Sequence, residues 1–357
     1  MSGETRPPTP SRSVPAPSAR GVPGERAIHR ALSSFARSSV LFVRIMRANP
    51  LTLVGFVLVV LTLATAFAVV AVPVITQLLG HPMSVLPYDP NVLDPQNRFA
   101  SPSWAHLMGT DDVGRDIFSR VLAALPLDLF IGFAIAGFSL GVGAGLGLVA
   151  GFWDTPRTAG GVLSAVILRG TDVFLTFPTL VLALAIAASL GRGTLPSMLA
   201  VMATWWPFYV RLTRGEVLAI KQQPYVTAAR VAGVSEGRIL VSHVLRNLLE
   251  PLVVYFTLDV GTVIVTYSTI SFIGIGVPEG VPEWGNMINH YQPFFLTDPW
   301  LIGFVALAIF VTVLAFSLLG DGLRDVLDPR SRRALASATM NPSLAPKLAS
   351  KPAGEQE

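Results

Sequence analysis

Residues 225–247 read Tyr225-Val-Thr-Ala-Ala-Arg-Val-Ala-Gly233, nine further residues, then His243-Val-Leu-Arg-Asn247. Long apolar runs flank the segment, so it reads as a loop between two membrane spans. Pro224 suits the first turn of a helix, where a missing N–H costs nothing. Ala228 and Ala229 are strong helix formers with little bulk, so another surface can approach closely. Gly233 is placed to stop the helix in a left-handed conformation. The spacing therefore predicts a short helix closed by glycine, followed by the start of another membrane helix. Taken alone, this is a common helix-stop pattern. A loop of this kind also suits docking into a separate motor.

Outward from this loop the chain is unusually apolar. Of its 357 residues 52% are hydrophobic and only 13% charged, a balance that fits a polytopic membrane protein. Since about 20 residues cross a bilayer core, six stretches qualify: roughly 51–75, 129–152, 173–190, 194–212, 250–275 and 299–320. The expected fold class is therefore an all-α polytopic membrane protein with six transmembrane helices. Arg211 and Arg214 end the fourth apolar run early, and that helix is expected to continue past the membrane with its arginines snorkelling. Residues 1–30 and 331–357, rich in Pro, Ser and Arg or otherwise poor in apolar side chains, read as disordered tails. Residues 31–49 read as an amphipathic lead-in, and 50–330 as the membrane domain with its loop at 221–246. The first 30 residues lack the apolar core of a cleavable signal peptide.

Charge placement sets the expected orientation. Arg37, Arg44 and Arg47 precede the first span, Lys221, Arg230, Arg238 and Arg246 lie in the 221–246 loop, and Arg324, Arg330, Arg332 and Arg333 follow the last span. The loop 276–298 has no Lys or Arg. Six spans with both termini in the cytoplasm satisfy the positive-inside rule. The basic residues flank spans and form no aromatic-interleaved basic domain, which argues against nucleic acid as a partner.

Within the spans, Gly137, Gly141 and Gly145 repeat every four residues, as do Gly143, Gly147 and Gly151, a spacing that favours close helix packing. Pro178 and Pro207 are expected to kink spans three and four. Arg169 and Asp172 are three apart and can pair on one helix face. Asp259 lies near the middle of span five with no evident local partner, so it should face a cavity or a residue on another helix. Tyr267, eight residues on, is a neighbouring candidate for the same path.

Several chemistries are excluded. Cysteine is absent, which removes disulfides, thiolate metal sites and cysteine nucleophiles. The chain has neither H-E-x-x-H nor G-x-S-x-G. It has no Gly-Lys dipeptide and hence no phosphate loop, so energy must come from a partner or an ion gradient. The run Gly109–Asp116 carries three acids but lacks the order and distant glutamate of a calcium loop. It reads as a folded structural or partner-facing element. No catalytic residue, cofactor or metal is expected.

The 225–247 segment resembles the "EAA" loop of permease subunits of ABC importers, Glu-Ala-Ala, three residues, Gly, nine residues, then Ile-x-Leu-Pro. Thr227, Ala228, Ala229, Gly233 and Leu245 fall in register, and His243, Leu245 and Asn247 match the form typical of the dipeptide, oligopeptide and nickel permease group. Other stretches are similar in the same order: Asn49-Pro-Leu51, His106-x-x-Gly-Thr-Asp-Asp-Val-Gly-Arg-Asp-Ile-Phe-Ser-Arg120, Trp206-Pro-Phe-Tyr-Val-Arg-Leu-Thr-Arg-Gly-Glu216, Ser271-Phe-Ile-Gly-Ile-Gly-Val277, Trp284-Gly285 and Gly320-Asp-Gly-Leu-Arg-Asp-Val-Leu-Asp-Pro-Arg330. The likeness covers about residues 49–330 and looks like the second, "C"-type, permease. Thr227 stands where the group has glutamate, Arg246 where it has proline, and Tyr267 where it often has glutamate.

The resemblance implies the type I importer fold in the inner (cytoplasmic) membrane. It implies four further partners: a homologous permease, two ATP-binding subunits and an extracytoplasmic solute-binding protein. It implies a coupling site at Tyr225, Thr227, Ala228, Ala229, Gly233, His243 and Leu245, with ATP hydrolysis in the partners. Peptides or similar small solutes are the expected cargo. An ion-coupled secondary transporter using Asp259 is the rival reading, although no convincing inverted repeat supports it.

Overall fold

In a computed structural model the described residues are 50–327, apart from 81–82 and 156. The tails 1–30 and 331–357 and the lead-in 31–49 lie outside them. The described chain is helical, with no strand longer than an isolated bridge between Thr110 and Asp116. Its helices are α1 (Pro50–Leu78), α2 (Ile117–Phe152), α3 (Ala159–Thr176), α4 (Thr179–Leu190), α5 (Thr194–Lys221), α6 (Pro224–Val231), α7 (Glu236–Phe272), α8 (Trp284–Tyr291) and α9 (Trp300–Leu327). Helices α1, α2, α3, α7 and α9 are long and apolar enough to cross a membrane. Helix α5 has spanning length, 28 residues, but its last turns are charged.

Three boundaries differ from the sequence reading. The second span begins at Ile117, well before residue 129, because the Asp116 carboxylate accepts from Ser119 N at 2.7 Å and caps the helix. Capping of this kind satisfies a backbone donor that a helix start would otherwise leave open. Pro126 thus lies inside α2. The third span is not a kinked helix over 173–190 but two helices, α3 and α4, parted at Phe177-Pro178. Proline pushes the residue before it toward extended backbone, and Phe177 has ψ 143°. The fifth span's helix starts at Glu236 rather than near residue 250, so His243 and Leu245, read as the start of the next membrane helix, lie well inside it; a π-helical turn covers Leu240–Leu245.

Helix α5 continues to Lys221 as expected, and its charges are tied down on arrival. Arg211 pairs with Asp172 at 2.7 Å, so Asp172 bonds across to α5 and not to Arg169. Arg214 pairs with Asp154 at 2.8 Å. The Lys221 ammonium donates to the carbonyls of Gly151 and Phe152 at 3.1 and 2.7 Å, closing the end of α2.

Only one glycine stripe makes a close contact. A side chain at Gly143, Gly147 or Gly151 would meet α5 at under 3.0 Å, against Tyr209, Val210 and Val217. Gly137, Gly141 and Gly145 face open space. The small residues let α2 and α5 approach closely, as small-residue faces do in membranes. One core then joins α1, α2, α4, α5, α7, α8 and α9, and a smaller cluster of Phe152, Val217, Ile220, Val226, Ile239, Val244, Leu248 and Leu252 seals the end that carries α6.

The opposite end is closed by the segments 83–116 and 273–299. The Gly109–Asp116 run is a turn built around Asp111, whose Oδ1 accepts from Val113 N and Arg115 N while its Oδ2 takes the Arg115 guanidinium at 2.7 Å. Asp116 also meets His106 at 2.9 Å, and Asp112 meets His290 at 2.8 Å. Glu283 begins α8: its carboxylate accepts from Gly285 N, Asn286 N and the Ser271 hydroxyl.

Candidate coupling helix and transport cavity

Helix α6 has eight residues and begins at Pro224, as the sequence implied. One face anchors it: Val226 is fully buried in the smaller cluster. The other face is open. Thr227 and Ala228 are exposed, Ala229 is half-buried, and Val231 is 85% exposed. An apolar side chain that bare beside two small residues suits a fitting partner surface; sequence reasoning passed over both Val226 and Val231. The helix ends as predicted. Gly233 has φ +77°, and Ala232 N, Gly233 N and Val234 N donate back to Ala228, Arg230 and Ala229 carbonyls at 2.9, 2.9 and 3.1 Å. That closure suits glycine, since left-handed backbone crowds a Cβ.

The remaining members of the predicted coupling set adjoin it. The Tyr225 and His243 rings lie 6.0 Å apart, and Asn247 Nδ2 donates to the Tyr225 hydroxyl at 3.2 Å. Leu245 stands partly exposed on the π-turn. Arg230 reaches Glu236 at 2.8 Å, bracing α6 against the start of α7. Tyr225, Asn247 and His243 thus share one corner because the unbroken α7 returns past α6.

Deeper in the bundle, Asp259 has partners that the sequence did not reveal. Trp205 Nε1 donates to both carboxylate oxygens at 3.0 and 2.9 Å, and the Tyr209 hydroxyl donates to one at 2.8 Å. Both donors lie on α5. An indole N–H and a phenol aimed at a lone intramembrane acid are the signal that was available in the Trp206–Glu216 neighbourhood. Asp259 also forms part of the wall of a cavity of about 360 Å³, with Trp205, Phe208, Tyr255, Thr204 and Thr262 around it. Three aromatic faces and one carboxylate form an environment suited to a cation. Tyr267 does not line this cavity. It is packed in the core at 1% exposure, with its hydroxyl 3.5 Å from the Thr194 carbonyl.

Asp111, Asp112 and His290 bring three potential ligand atoms within 4.8 Å of one another. The Arg115 guanidinium already holds Asp111 and lies 3.4 Å from His290 Nε2, so a positive group stands where a cation would sit.

The comparisons agree with this architecture. The family model described as "Binding-protein-dependent transport system inner membrane component" matches residues 143–333. The probable D,D-dipeptide transport system permease protein DdpC of Escherichia coli (strain K12) is 37% identical over 286 residues, 80% of this chain and 90% of that protein. The dipeptide transport system permease protein DppC of Alkalihalophilus pseudofirmus is 37% identical over 239 residues, 67% of this chain and 77% of its own length. The glutathione transport system permease protein GsiD of Pectobacterium atrosepticum is 39% identical over 247 residues, 69% of this chain and 80% of that one. With matches of this extent along the same helices that carry α6 and the Asp259 cavity, the chain belongs to the inner-membrane permeases of binding-protein-dependent ABC importers, as its motifs implied.

Proposed function

We propose that this chain is one of two permease subunits of an ATP-driven importer for peptides or similar small solutes. It works with a homologous permease, two ATP-binding subunits and an extracytoplasmic solute-binding protein, and both of its termini face the cytoplasm. The observation that carries the proposal is α6: a short helix whose one fully buried side chain is Val226 and that presents Thr227, Ala228 and Val231 away from the bundle. Closure of the paired ATPases pulls on this helix and, through the smaller apolar cluster, on the ends of α2, α5 and α7. Relatives named for dipeptide, D,D-dipeptide and glutathione transport support a small peptide-like cargo.

Asp259 has the role of a fixed negative charge on the translocation path. Trp205 and Tyr209 hold its carboxylate in place while it still meets the cavity. A cationic group of the solute finds the carboxylate and the aromatic faces together. Asp259→Asn should slow cationic solutes more than neutral ones and leave assembly intact; equal loss for every solute with poor assembly would make Asp259 a packing residue only.

The whole reading is tested by uptake into proteoliposomes that hold the assembled transporter. Uptake should require ATP and persist when ion gradients are collapsed. Uptake driven by an ion gradient without ATP would establish the rival secondary-transport mechanism.

A further inference from the structure

At the end of the bundle away from α6, Arg120 is 3% exposed in the first turn of α2. Its guanidinium donates from Nη1 to the Pro90 carbonyl at 2.8 Å and from Nη2 to the Gly280 carbonyl at 3.3 Å. Both acceptors are neutral. Nε is buried and has no hydrogen-bond partner among the described residues. The Asp111 carboxylate is already engaged by the Arg115 guanidinium, by two backbone N–H groups and by the Tyr291 hydroxyl at 3.4 Å. A guanidinium does not give up its proton, and a buried charge is stable only when an opposite charge meets it. Among the described residues no carboxylate forms an ion pair with Arg120.

Arg120 lines a cavity of about 270 Å³, whose wall also includes Arg115, His290, Tyr291, Asn286 and the exposed carboxylate of Glu279. Two guanidinium groups therefore line one recess, and one of them, Arg120, is in no ion pair among the described residues. The volume suits one end of a small solute rather than a folded element. Guanidinium binds carboxylate with two parallel bonds, which sets it apart from other cations.

We propose that this recess is a carboxylate-binding site, which holds the free carboxylate of a small solute at Arg120 and Arg115 before the solute enters the bundle. The choice of a solute as occupant rests on the transport reading above; the charge argument does not. The site is distinct from the Asp259 cavity and opposite to it in sign, so a zwitterionic solute would be recognised at its two ends by two places in the fold.

The test uses the transporter assembled in nanodiscs without its solute-binding protein, titrated calorimetrically with N-acetyl-alanyl-alanine and with its C-terminal amide. These probes differ only in the carboxylate. The parent should bind the acid about tenfold more tightly than the amide, the size expected of one charge-assisted contact. Arg120→Lys keeps the charge but loses the fork, and should shrink the preference to less than about threefold. Because Arg120 also ties Pro90 to Gly280, a second variant is needed. Glu279→Gln alters only an exposed wall residue and should widen the preference, since it removes the one repelling carboxylate. Equal binding of acid and amide by the parent would overturn the site, as would an unchanged preference in Glu279→Gln. If Arg120→Lys weakens docking of the solute-binding protein and leaves probe preference untouched, the occupant is an acidic side chain of that protein and the solute assignment is wrong. ATP-driven uptake that fails while probe preference remains would strike the transport reading and not the site.

Discussion

Replacing Gly233 tests how α6 is used, because the structure separates strain from collision there. The residue has φ +77°, and a Cβ built on it would meet nothing within 4 Å. A substitution therefore costs only backbone conformation, roughly 1–2 kcal/mol for an ordinary L-residue. Valine, branched at Cβ, lies at the upper end; asparagine, which tolerates the left-handed region, lies near the lower. The membrane core is remote from this turn, and α6 is held mainly by Val226. The strain should be relieved by unwinding the last turn of α6, leaving the spans intact. If α6 must be folded to bind the ATPase subunit, a penalty of about 1–2 kcal/mol weakens that binding roughly 5–30-fold. The assay is binding of purified ATPase subunit to the permease pair in nanodiscs, with thermal stability of the pair measured alongside. Gly233→Val should bind weakly at unchanged stability, and Gly233→Asn should come close to the parent. Parent-like binding by Gly233→Val, or equal loss in both variants, would refute the reasoning.

Three further outcomes are expected. Gly147→Leu should destabilise the chain by about 1–3 kcal/mol through overpacking, since its Cβ would stand 2.6 Å from the Val210 carbonyl, whereas Gly141→Leu, which faces open space, should leave thermal unfolding of the isolated chain unchanged. Burial pushes the Glu283 carboxyl up from its ordinary 4.5, so the folded chain holds that proton longer than the unfolded chain. Stability should then fall as pH rises above about 4.5; Glu283→Gln should flatten that slope, and Glu283→Ala should cost a further 0.5–2 kcal/mol, roughly the worth of a helix cap. In intact cells, an impermeant thiol reagent should label Leu296→Cys, which is 92% exposed beyond α8, and should not reach Val231→Cys on α6; the reverse pattern would invert the proposed orientation.

The sequence carried the spans and α6 further than it carried their joints. Length and apolarity alone place both ends of α1, the end of α7 and the start of α9 within a few residues; α7 begins 14 residues before the apolar run and α9 continues seven residues past it, where charged side chains end the apolar signal. The beginning of α2 was hidden because its first turns contain Ser119, Arg120 and Asp128, polar groups that only the outer segments and α8 cover. Pro178 sits in an apolar run and reads as a kink, yet the extended backbone it imposes on Phe177 divides the helix. Pairing within one helix was legible as an option for Arg169 and Asp172, but Arg211 arrives from α5, 39 residues away, and takes the acid. The same holds for Asp259, whose donors lie 54 and 50 residues back in the chain. Local spacing shows that such a group needs a partner; it does not show which helix delivers it. Helix α6, by contrast, is specified by residues next to one another, Pro224 at its start and Gly233 past its end, and was fully legible.

The central claim is that an ATPase subunit drives this chain through α6. It is tested most directly by cross-linking from Ala228→Cys, an exposed position on that helix, to the purified ATPase subunits in the assembled transporter. The account predicts a cross-link confined to this face, absent from a cysteine placed at the opposite end, such as Leu296→Cys, and changing in yield between nucleotide-free and ATP-trapped states. A transporter that imports its solute with ATP while Ala228→Cys never contacts an ATPase subunit in any nucleotide state would contradict it.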